Sequence, residues 1–110
     1  MQTFYAALNG VNFRTKEVKA LVRDMLIGDE VTLVRDAENV YDSNAIKVNS
    51  VDGTHLGFVE KEIAAEIAPL LDAGAEVKEA KVASFLSEIK PHLRIEVDDE
   101  AAVASEPEAA

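Results

Sequence analysis

The sequence contains no cysteine and only two histidines, His55 and His92. Without cysteine the chain can form no disulfide and offers no thiolate nucleophile. Two histidines alone are too few for the His/Cys ligand sets of structural zinc sites. We therefore interpret both histidines as surface polar residues, and we expect neither a metal ion nor another cofactor.

The sequence also lacks a long hydrophobic run. No stretch approaches the ~20 apolar residues that a membrane-spanning helix needs. Residues 1–9 have neither the basic region nor the long apolar segment that is typical of a secretory signal. We therefore expect no membrane partner, and a cytoplasmic location is the default expectation.

Basic residues are scarce, since 11 Lys and Arg stand against 21 Asp and Glu and give a formal net charge of −10. Because non-specific nucleic-acid binding depends on cations that release phosphate counterions, this balance argues against a protein that coats nucleic acid indiscriminately. About half of the excess lies in residues 98–110, which contain five acidic residues and no basic one. We predict one domain over residues 1–97 and a disordered, acidic, Ala/Glu-rich tail over residues 98–110.

Sequence signatures of enzymes are absent as well. The chain has no Gly-rich phosphate loop, no nucleophile elbow and no Ser/His/Asp arrangement. The Glu-x-Lys pattern of metal-dependent nucleases recurs, for example at Glu17, Glu76 and Glu79, and such repetition in a short chain indicates chance. We therefore expect a protein without catalytic activity.

Alternating apolar residues are the main structural signal that the sequence does contain. They predict six short strands, over residues 3–8, 30–35, 45–51, 56–59, 76–85 and 91–97. With two helices between them, these strands predict an α+β, mainly β fold. We expect a small, OB-like, six-stranded antiparallel sheet that is curled or closed into a partly open barrel.

The two predicted helices have recognisable starts and stops. Apolar spacing predicts a first helix that follows the N-cap Thr15 and stops at Gly28, and a second helix over residues 61–72 that ends near Gly74. Pro69 lies inside the second helix and removes one backbone hydrogen bond. We therefore expect a kink there, or two short helices that meet at Ala68.

A polar loop containing Asn39, Tyr41, Asp42 and Asn44 is the most informative segment of the chain. It is followed at once by the alternating apolar run of residues 45–48, which predicts a buried strand. Asn and Asp tolerate left-handed backbone conformations and can bond their own main chain, so such a loop can hold one conformation without glycine. The same side chains could hold a ligand.

Together with the residues around it, this loop resembles the HIRAN domain family. The family pattern runs arginine, acidic residue, Asn-x-Tyr-Asp-x-Asn-Ala-Ile-x-Val, then a Gly-containing turn and a Gly-aromatic strand, and residues 35–48 and 52–59 match it. The resemblance covers roughly residues 4–75. It implies the OB-like barrel of the family and, as in HIRAN domains of fork-remodelling DNA translocases, capture of the 3′-hydroxyl end of single-stranded DNA.

The resemblance also implies roles for individual residues. The matching aspartate, Asp42, would read the 3′-hydroxyl, because an ionised carboxylate only accepts hydrogen bonds and repels a 3′-phosphate. Tyr41 and Phe13 would stack on the terminal bases, and Asn39 would either bond a base edge or shape the loop. From the residues alone, the alternative for Asp42 and Asn44 is an Asx-type turn that leads into the next strand.

The three aromatic candidates, Phe13, Tyr41 and Phe58, have an alternative too. Without the resemblance each is expected in the core, because the aromatic side chains of a small barrel mostly fill it. The resemblance instead favours stacking roles for Phe13 and Tyr41. It places Phe58 partly in the core and partly at the rim of the site.

The same resemblance indicates which residues supply positive charge to the site. The family's phosphate-binding lysine falls on Lys61, where Glu60 and Glu62 weaken the local positive field. Asn12 stands where other members carry an arginine, which lowers the expected affinity. The cations that could compensate are Arg14, Arg35 and Lys47.

We predict a stand-alone, non-catalytic module that recognises 3′-hydroxyl ends of single-stranded DNA, in DNA repair, replication-fork processing or recombination. We expect a DNA-processing protein as a partner, and a monomer or weak oligomer. The alternative is a protein-interaction adaptor on an OB-like barrel with little DNA affinity. The predicted DNA-binding residues are Asn12, Phe13, Asn39, Tyr41, Asp42, Phe58 and Lys61.

Overall fold

Six strands form where the apolar residues alternate, and two helices form where they recur at helical spacing. The computed structural model describes residues 1–100. The helices are α1 Lys16–Arg23 and α2 Lys61–Asp72, and a 3₁₀ turn, Val11–Phe13, follows the first strand. The strands are β1 Gln2–Asn9, β2 Val31–Arg35, β3 Ile46–Ser50, β4 His55–Val59, β5 Glu76–Ser87 and β6 Lys90–Asp98.

The strands form one antiparallel sheet in the order β2-β3-β4-β1-β6-β5. The sheet curls until its edge strands approach each other next to an isolated bridge between Glu30 and Lys81. Beside this bridge the Val82 N–H donates to the Asp29 carbonyl at 2.9 Å, and the Gly28 N–H donates to the Val82 carbonyl at 2.8 Å. The predicted six-stranded antiparallel fold is therefore confirmed as a curled half-barrel with two helices.

The core lies inside this curl. Val18 and Val22 from α1 and Ile67 from α2 are buried against the sheet's inner face. Because burying one large aliphatic side chain contributes about 1.5–3 kcal/mol, this shared face is the main source of stability. No charged side chain is buried in the described part of the chain. The largest buried strand residues are Leu8, Ile46, Leu56, Leu93 and Ile95.

Gly57 allows β1 and β4 to approach closely. A Cβ atom at Gly57 would overlap the carbonyl oxygen of Asn9 and press against the side chain of Leu8. The glycine before Phe58 in the Gly-aromatic strand is therefore required by the close approach of β1, because any larger residue would push the two strands apart.

Helix α1 begins as predicted but ends early. The Thr15 hydroxyl accepts a hydrogen bond from the Val18 N–H at 3.2 Å, which confirms Thr15 as the N-cap. The helix ends at Arg23, so the prediction that it continues to Gly28 was wrong. Gly28 instead has a φ of +96° in the connection to β2, where its N–H bonds to β5.

Helix α2 has the predicted bounds and is one continuous helix, so the alternative of two short helices was wrong. Pro69 lies in its last turn, where the loss of one backbone bond leaves the preceding turns intact. The helix ends in a Schellman motif: Gly74, with a φ of +106°, donates to the Leu71 carbonyl at 3.0 Å, and Ala75 donates to the Leu70 carbonyl at 2.9 Å.

The two ends of the described chain lie side by side on β1 and β6. Strand β6 includes Asp98, and the Asp99 carboxylate accepts a hydrogen bond from Gln2 Nε2 at 2.6 Å. The predicted disordered tail lies, from residue 101 onward, outside the described residues. Within residues 1–100, neither helix is long and apolar enough to cross a membrane.

Candidate nucleic-acid interface

The polar loop between β2 and β3 is shaped by the side chain of Asn39. Its Oδ1 accepts hydrogen bonds from the backbone N–H groups of Tyr41, at 2.9 Å, and Asp42, at 3.0 Å. Its Nδ2 donates to the Asp36 carboxylate at 3.0 Å. Of the two roles suggested for Asn39, the geometry favours shaping the loop, because both ends of its amide are engaged by the loop itself.

Asp42 begins the turn that leads into β3. Its Oδ1 accepts a hydrogen bond from the Asn44 N–H at 2.9 Å, and its carbonyl accepts one from the Ala45 N–H at 3.0 Å. The Asx-type turn is therefore present. The second carboxylate oxygen of Asp42 has no hydrogen-bond partner within residues 1–100, so the same side chain can both form the turn and accept a bond from a ligand.

Two of the three candidate aromatic residues lie outside the core. Tyr41 is 92% exposed and Phe13 is 87% exposed, so their rings are free to stack on planar ligands. Phe58 is half-buried. The core alternative is therefore wrong for Phe13 and Tyr41, whereas Phe58 has the mixed position that the resemblance implied.

A pocket of about 400 Å³ lies between the polar loop, the end of β1, strand β4 and the start of α2. Five of the seven predicted site residues line it together, although they come from two separate segments of the chain. Ala45 and Val59 add apolar wall. The five predicted residues are Asn39, Tyr41, Asp42, Phe58 and Lys61.

The other two predicted residues, Asn12 and Phe13, do not line this pocket. Both are exposed on the 3₁₀ turn, which begins after Gly10, a glycine that lies against the ring of Phe58. The turn is therefore a neighbouring rim, and its residues could contact a ligand that extends beyond the pocket.

Asn9 is a lining residue that the sequence analysis missed. It is the last residue of β1, and its Oδ1 is buried without a hydrogen-bond partner in the described residues. A buried acceptor of this kind normally finds a partner. A polar residue that ends an apolar strand was the available signal, but only the pairing of β1 with β4 shows that it reaches this pocket.

The cations around the pocket are not equivalent. Lys61 is the first residue of α2 and forms no ion pair within residues 1–100, and the helix start, which has no side-chain cap, adds positive potential. Arg35 instead binds Asp72 through two hydrogen bonds of 3.0 Å and donates to the Ala45 carbonyl at 3.1 Å. Arg35 is therefore less available than Lys61 to compensate for Asn12, because its guanidinium is held by the protein.

His55 lies next to the pocket on the outer face of β4. Its ring meets that of Phe58 edge-on, with a centroid distance of 5.0 Å and an interplanar angle of 82°. Burial lowers the pKa of His55, and the charges of Arg14 and Lys47 lower it further, while Asp36 acts in the opposite direction. Its Nδ1 is buried without a partner in the described residues, although the side chain as a whole is only half-buried.

The described residues contain no group of three or more His, Asp or Glu side chains that could hold a metal ion. The pocket offers one free carboxylate oxygen, two flanking rings and one lysine, on a loop that an Asn side chain shapes. These groups can bind a ligand that combines a planar ring, a hydroxyl and an anionic group.

A model of the HIRAN domain family matches residues 1–98. The Fanconi-associated nuclease 1 homolog of Arabidopsis thaliana is 47% identical over 51 residues, which are 46% of this chain and 6% of that protein. The Helicase-like transcription factor of Homo sapiens is 50% identical over 42 residues, which are 38% of this chain and 4% of that protein. The matched segments are thus only a small part of either relative's length.

Three solved structures have the same architecture. The crystal structure of the HIRAN domain of human HLTF has a TM-score of 0.70 and 27% identity, and the match covers 94% of this chain and 82% of that chain. The NMR structure of the HLTF HIRAN domain in its DNA-bound conformation has a TM-score of 0.60 and 27% identity, over 94% and 81%. A Lactobacillus plantarum protein shares the fold at a TM-score of 0.74 and 20% identity, over 88% and 97%.

Proposed function

Since the chain belongs to the HIRAN domain family, we propose that it binds DNA and captures the 3′-hydroxyl end of a single strand in the pocket beside the polar loop. The main support is that one pocket collects five residues predicted from the family pattern, including a carboxylate with one oxygen free to accept a hydrogen bond. The DNA-bound conformation of the HLTF HIRAN domain supports DNA as the ligand class.

Asp42 provides the selectivity for a hydroxyl. Its Oδ1 is held by the Asn44 N–H, which fixes the direction of the second oxygen. A 3′-hydroxyl can donate to that oxygen, whereas a 3′-phosphate would bring two negative charges together. The carboxylate therefore weakens binding to phosphate-blocked ends and to continuous strands that cannot place a hydroxyl there.

Tyr41 and Phe13 provide stacking surfaces for bases. Stacking on an aromatic ring contributes about 1–3 kcal/mol per base and depends little on sequence. Tyr41 is held at its backbone N–H by Asn39, so its exposed ring starts from a fixed point on the pocket rim. Phe13 lies on the neighbouring rim and would contact the base that precedes the terminal one.

Lys61 provides a cation for the phosphate nearest the end. Its ammonium group and the start of α2 act in the same direction, because both place positive charge at the same point of the pocket. Glu60 and Glu62 reduce this field, and Asn12 supplies no charge. The site should therefore bind DNA with moderate affinity, and its preference between strands should depend on the chemical group at the 3′ end.

We assign no reaction to the chain. In our proposal it is a non-catalytic module that delivers a DNA-processing partner to a 3′ end in repair, fork processing or recombination, acting as a monomer or weak oligomer in the cytoplasm. The activities of the longer relatives lie in proteins of which this chain matches 4–6%, so they are not transferred to it.

The test is fluorescence anisotropy at low salt with single-stranded DNA that ends in a 3′-hydroxyl or in a 3′-phosphate. We expect about ten- to hundredfold tighter binding to the hydroxyl end. Asp42→Asn keeps an oxygen for the Asn44 N–H but removes the charge, so it should abolish the preference without unfolding the loop. Equal affinity of the unaltered protein for both ends would disprove the proposal.

A truncation after Glu100 tests whether the acidic tail competes for the site. The cut should not fall earlier, because Asp98 belongs to β6 and the Asp99 carboxylate bonds Gln2. If removal of the tail strengthens binding to both strands equally, the tail acts through general repulsion. If it changes the ratio between the two ends, the tail occupies the pocket.

The protein-interaction alternative is favoured by one observation. The edges of β2 and β5 diverge from the Glu30–Lys81 bridge and leave a groove of about 350 Å³ between them. Such edges can accept an additional strand from a partner. Partner binding that is insensitive to salt, together with no DNA binding even after removal of the tail, would support this function instead.

A further inference from the structure

The outer face of β1, β4 and β3 borders the proposed DNA pocket at Phe58. Phe58 is paired with Asn9 of β1 on one side and with Lys47 of β3 on the other, so these residues form a row across the sheet. Phe58 lines the pocket, and His55 packs against its ring. A single strand of DNA that leaves the pocket over Phe58 therefore passes Lys47 and the surroundings of His55.

Arg14 reaches the same face from the segment that follows the 3₁₀ turn. Its Nε donates to the His55 carbonyl at 3.3 Å, which holds the guanidinium beside β4. Its two terminal nitrogens make no hydrogen bond within residues 1–100. Lys47 is paired with Phe58, whose ring packs against His55, and the positive charges of Arg14 and Lys47 both lower the pKa of His55.

Five of the 11 Lys and Arg side chains form ion pairs within residues 1–100. Arg14, Lys47 and Lys61 are not among these five, and neither are Lys16, Lys19 and Lys90. The one carboxylate that acts on His55, Asp36, is itself bonded by Asn39 Nδ2. The cations in ion pairs are Arg23, Arg35, Lys78, Lys81 and Arg94.

We propose that Arg14 and Lys47 form a second phosphate-binding site, which holds the sugar–phosphate backbone of the single strand that leads away from the terminal pocket. The free fork of a guanidinium can bind a phosphate through two hydrogen bonds, and the ammonium group of Lys47 adds a point charge. This inference rests on the proposed function and adds the path of the strand beyond its last nucleotide. It also supplies, from other positions, the positive charge that Asn12 lacks.

The first test compares single strands of two and about ten nucleotides, all ending in a 3′-hydroxyl, at several salt concentrations. Each lost phosphate contact should reduce the slope of log affinity against log salt by about 0.7. We expect Arg14→Gln and Lys47→Gln each to weaken binding of the long strand about three- to tenfold and to lower this slope. Binding of the dinucleotide should change far less.

Lys78→Gln is the matched control, because it removes one positive charge from β5, outside the row that includes Phe58. If all three variants weaken the long strand equally, the effect is general electrostatics and the second site is disproved. Unchanged salt slopes in Arg14→Gln and Lys47→Gln would disprove it as well.

The second test uses His55 as a local probe, followed by NMR titration of its imidazole with His92 as the internal reference, since the chain has only these two histidines. A phosphate between Arg14 and Lys47 would screen their charges, so the long strand should raise the pKa of His55. In the Arg14→Gln/Lys47→Gln double variant the strand should cause no such rise. A long strand that binds without raising the pKa of His55 in the unaltered protein would overturn the inference.

Failure of this inference is distinguishable from failure of the proposed function. Arg14 and Lys47 act on the backbone, so their variants should keep the preference for a 3′-hydroxyl over a 3′-phosphate. Asp42→Asn should lose that preference and keep the salt slope. Binding that depends on Arg14 and Lys47 but ignores the end group would support the second site and reject end recognition.

Discussion

Two polar connections flank β3, and only the one that follows β3 uses a glycine with a positive φ. The turn after β3 reverses the chain at Gly53, whose φ is +94°, and the Gly53 N–H bonds to the Ser50 carbonyl at 2.9 Å. The loop before β3 has no residue with a positive φ, and the Asn39 side chain holds its backbone instead. A loop shaped by a side chain keeps its neighbours in fixed positions, and the pocket is built on that loop.

Among substitutions that should affect one connection and not the other, Asn39→Ala is expected to have the largest effect. The change leaves two backbone N–H groups and the Asp36 carboxylate without their partner, which should cost about 2–3 kcal/mol of the free energy of unfolding. It should also abolish end-selective DNA binding, because Tyr41 and Asp42 lose their fixed positions. Urea denaturation and anisotropy measure both.

Val40→Ala is the control for this prediction, since Val40 is a neighbouring loop residue that is 86% exposed. It should leave both the stability and the end preference unchanged. A loop that retains its selectivity without the Asn39 amide would show that the backbone holds its own shape and would remove the distinction between the two connections.

A smaller effect is expected for Gly53→Ala in the turn. No atom lies within 4 Å of the position that the new Cβ would take, so the cost comes only from the backbone conformation and should be about 1–2 kcal/mol. Gly53→Asn should lose less, because Asn tolerates positive φ better. DNA binding should be the same in all three proteins, and a change in end preference would contradict the separation of the two connections.

The smallest expected effect is a dependence of the protein's stability on pH, which arises from Asp52 in the turn after β3. Hydrogen bonds from Ser50 and Thr54 lower the pKa of Asp52 from its ordinary value of 3.8. A depressed carboxyl pKa adds stability that is present above the ordinary value and is lost as pH falls through the folded value. We therefore expect thermal stability below about pH 4 to fall less steeply in Asp52→Asn and in Ser50→Ala.

Identical acid profiles of the unaltered protein and Asp52→Asn would contradict this prediction. Comparing the two variants also identifies the cause. If Asp52→Asn flattens the profile and Ser50→Ala does not, then the bonds from Thr54 carry the effect alone.

Local features of the fold were predictable because their causes are local. The period of the apolar residues placed the strands, the Thr15 hydroxyl marked the start of α1, and Gly74 marked the end of α2. The end of α1 was missed, because residues 24–28 look helical in isolation. Their course is decided by the backbone contact between Gly28 and Val82, which lie far apart in the sequence.

The candidate site likewise has parts that local sequence predicts and parts that depend on distant residues. The polar loop was predictable because the partners of Asn39 and Asp42 lie within three residues of them. The roles of Arg35 and Asn9 were not predictable from local sequence. Arg35 is held by Asp72, 37 residues away, and Asn9 enters the pocket only through the pairing of β1 with β4.

The contact between the Gln2 side chain and the Asp99 carboxylate places the two ends of the described domain next to each other, on paired strands at one end of the sheet. A module of this shape can be inserted into a loop of a host protein through two short linkers, because entry and exit occur at one point. For the same reason a circular permutant that joins these ends and opens the chain at Gly53 should keep the pocket. The fold is thus suited to serve as a portable cassette in proteins of unrelated architecture.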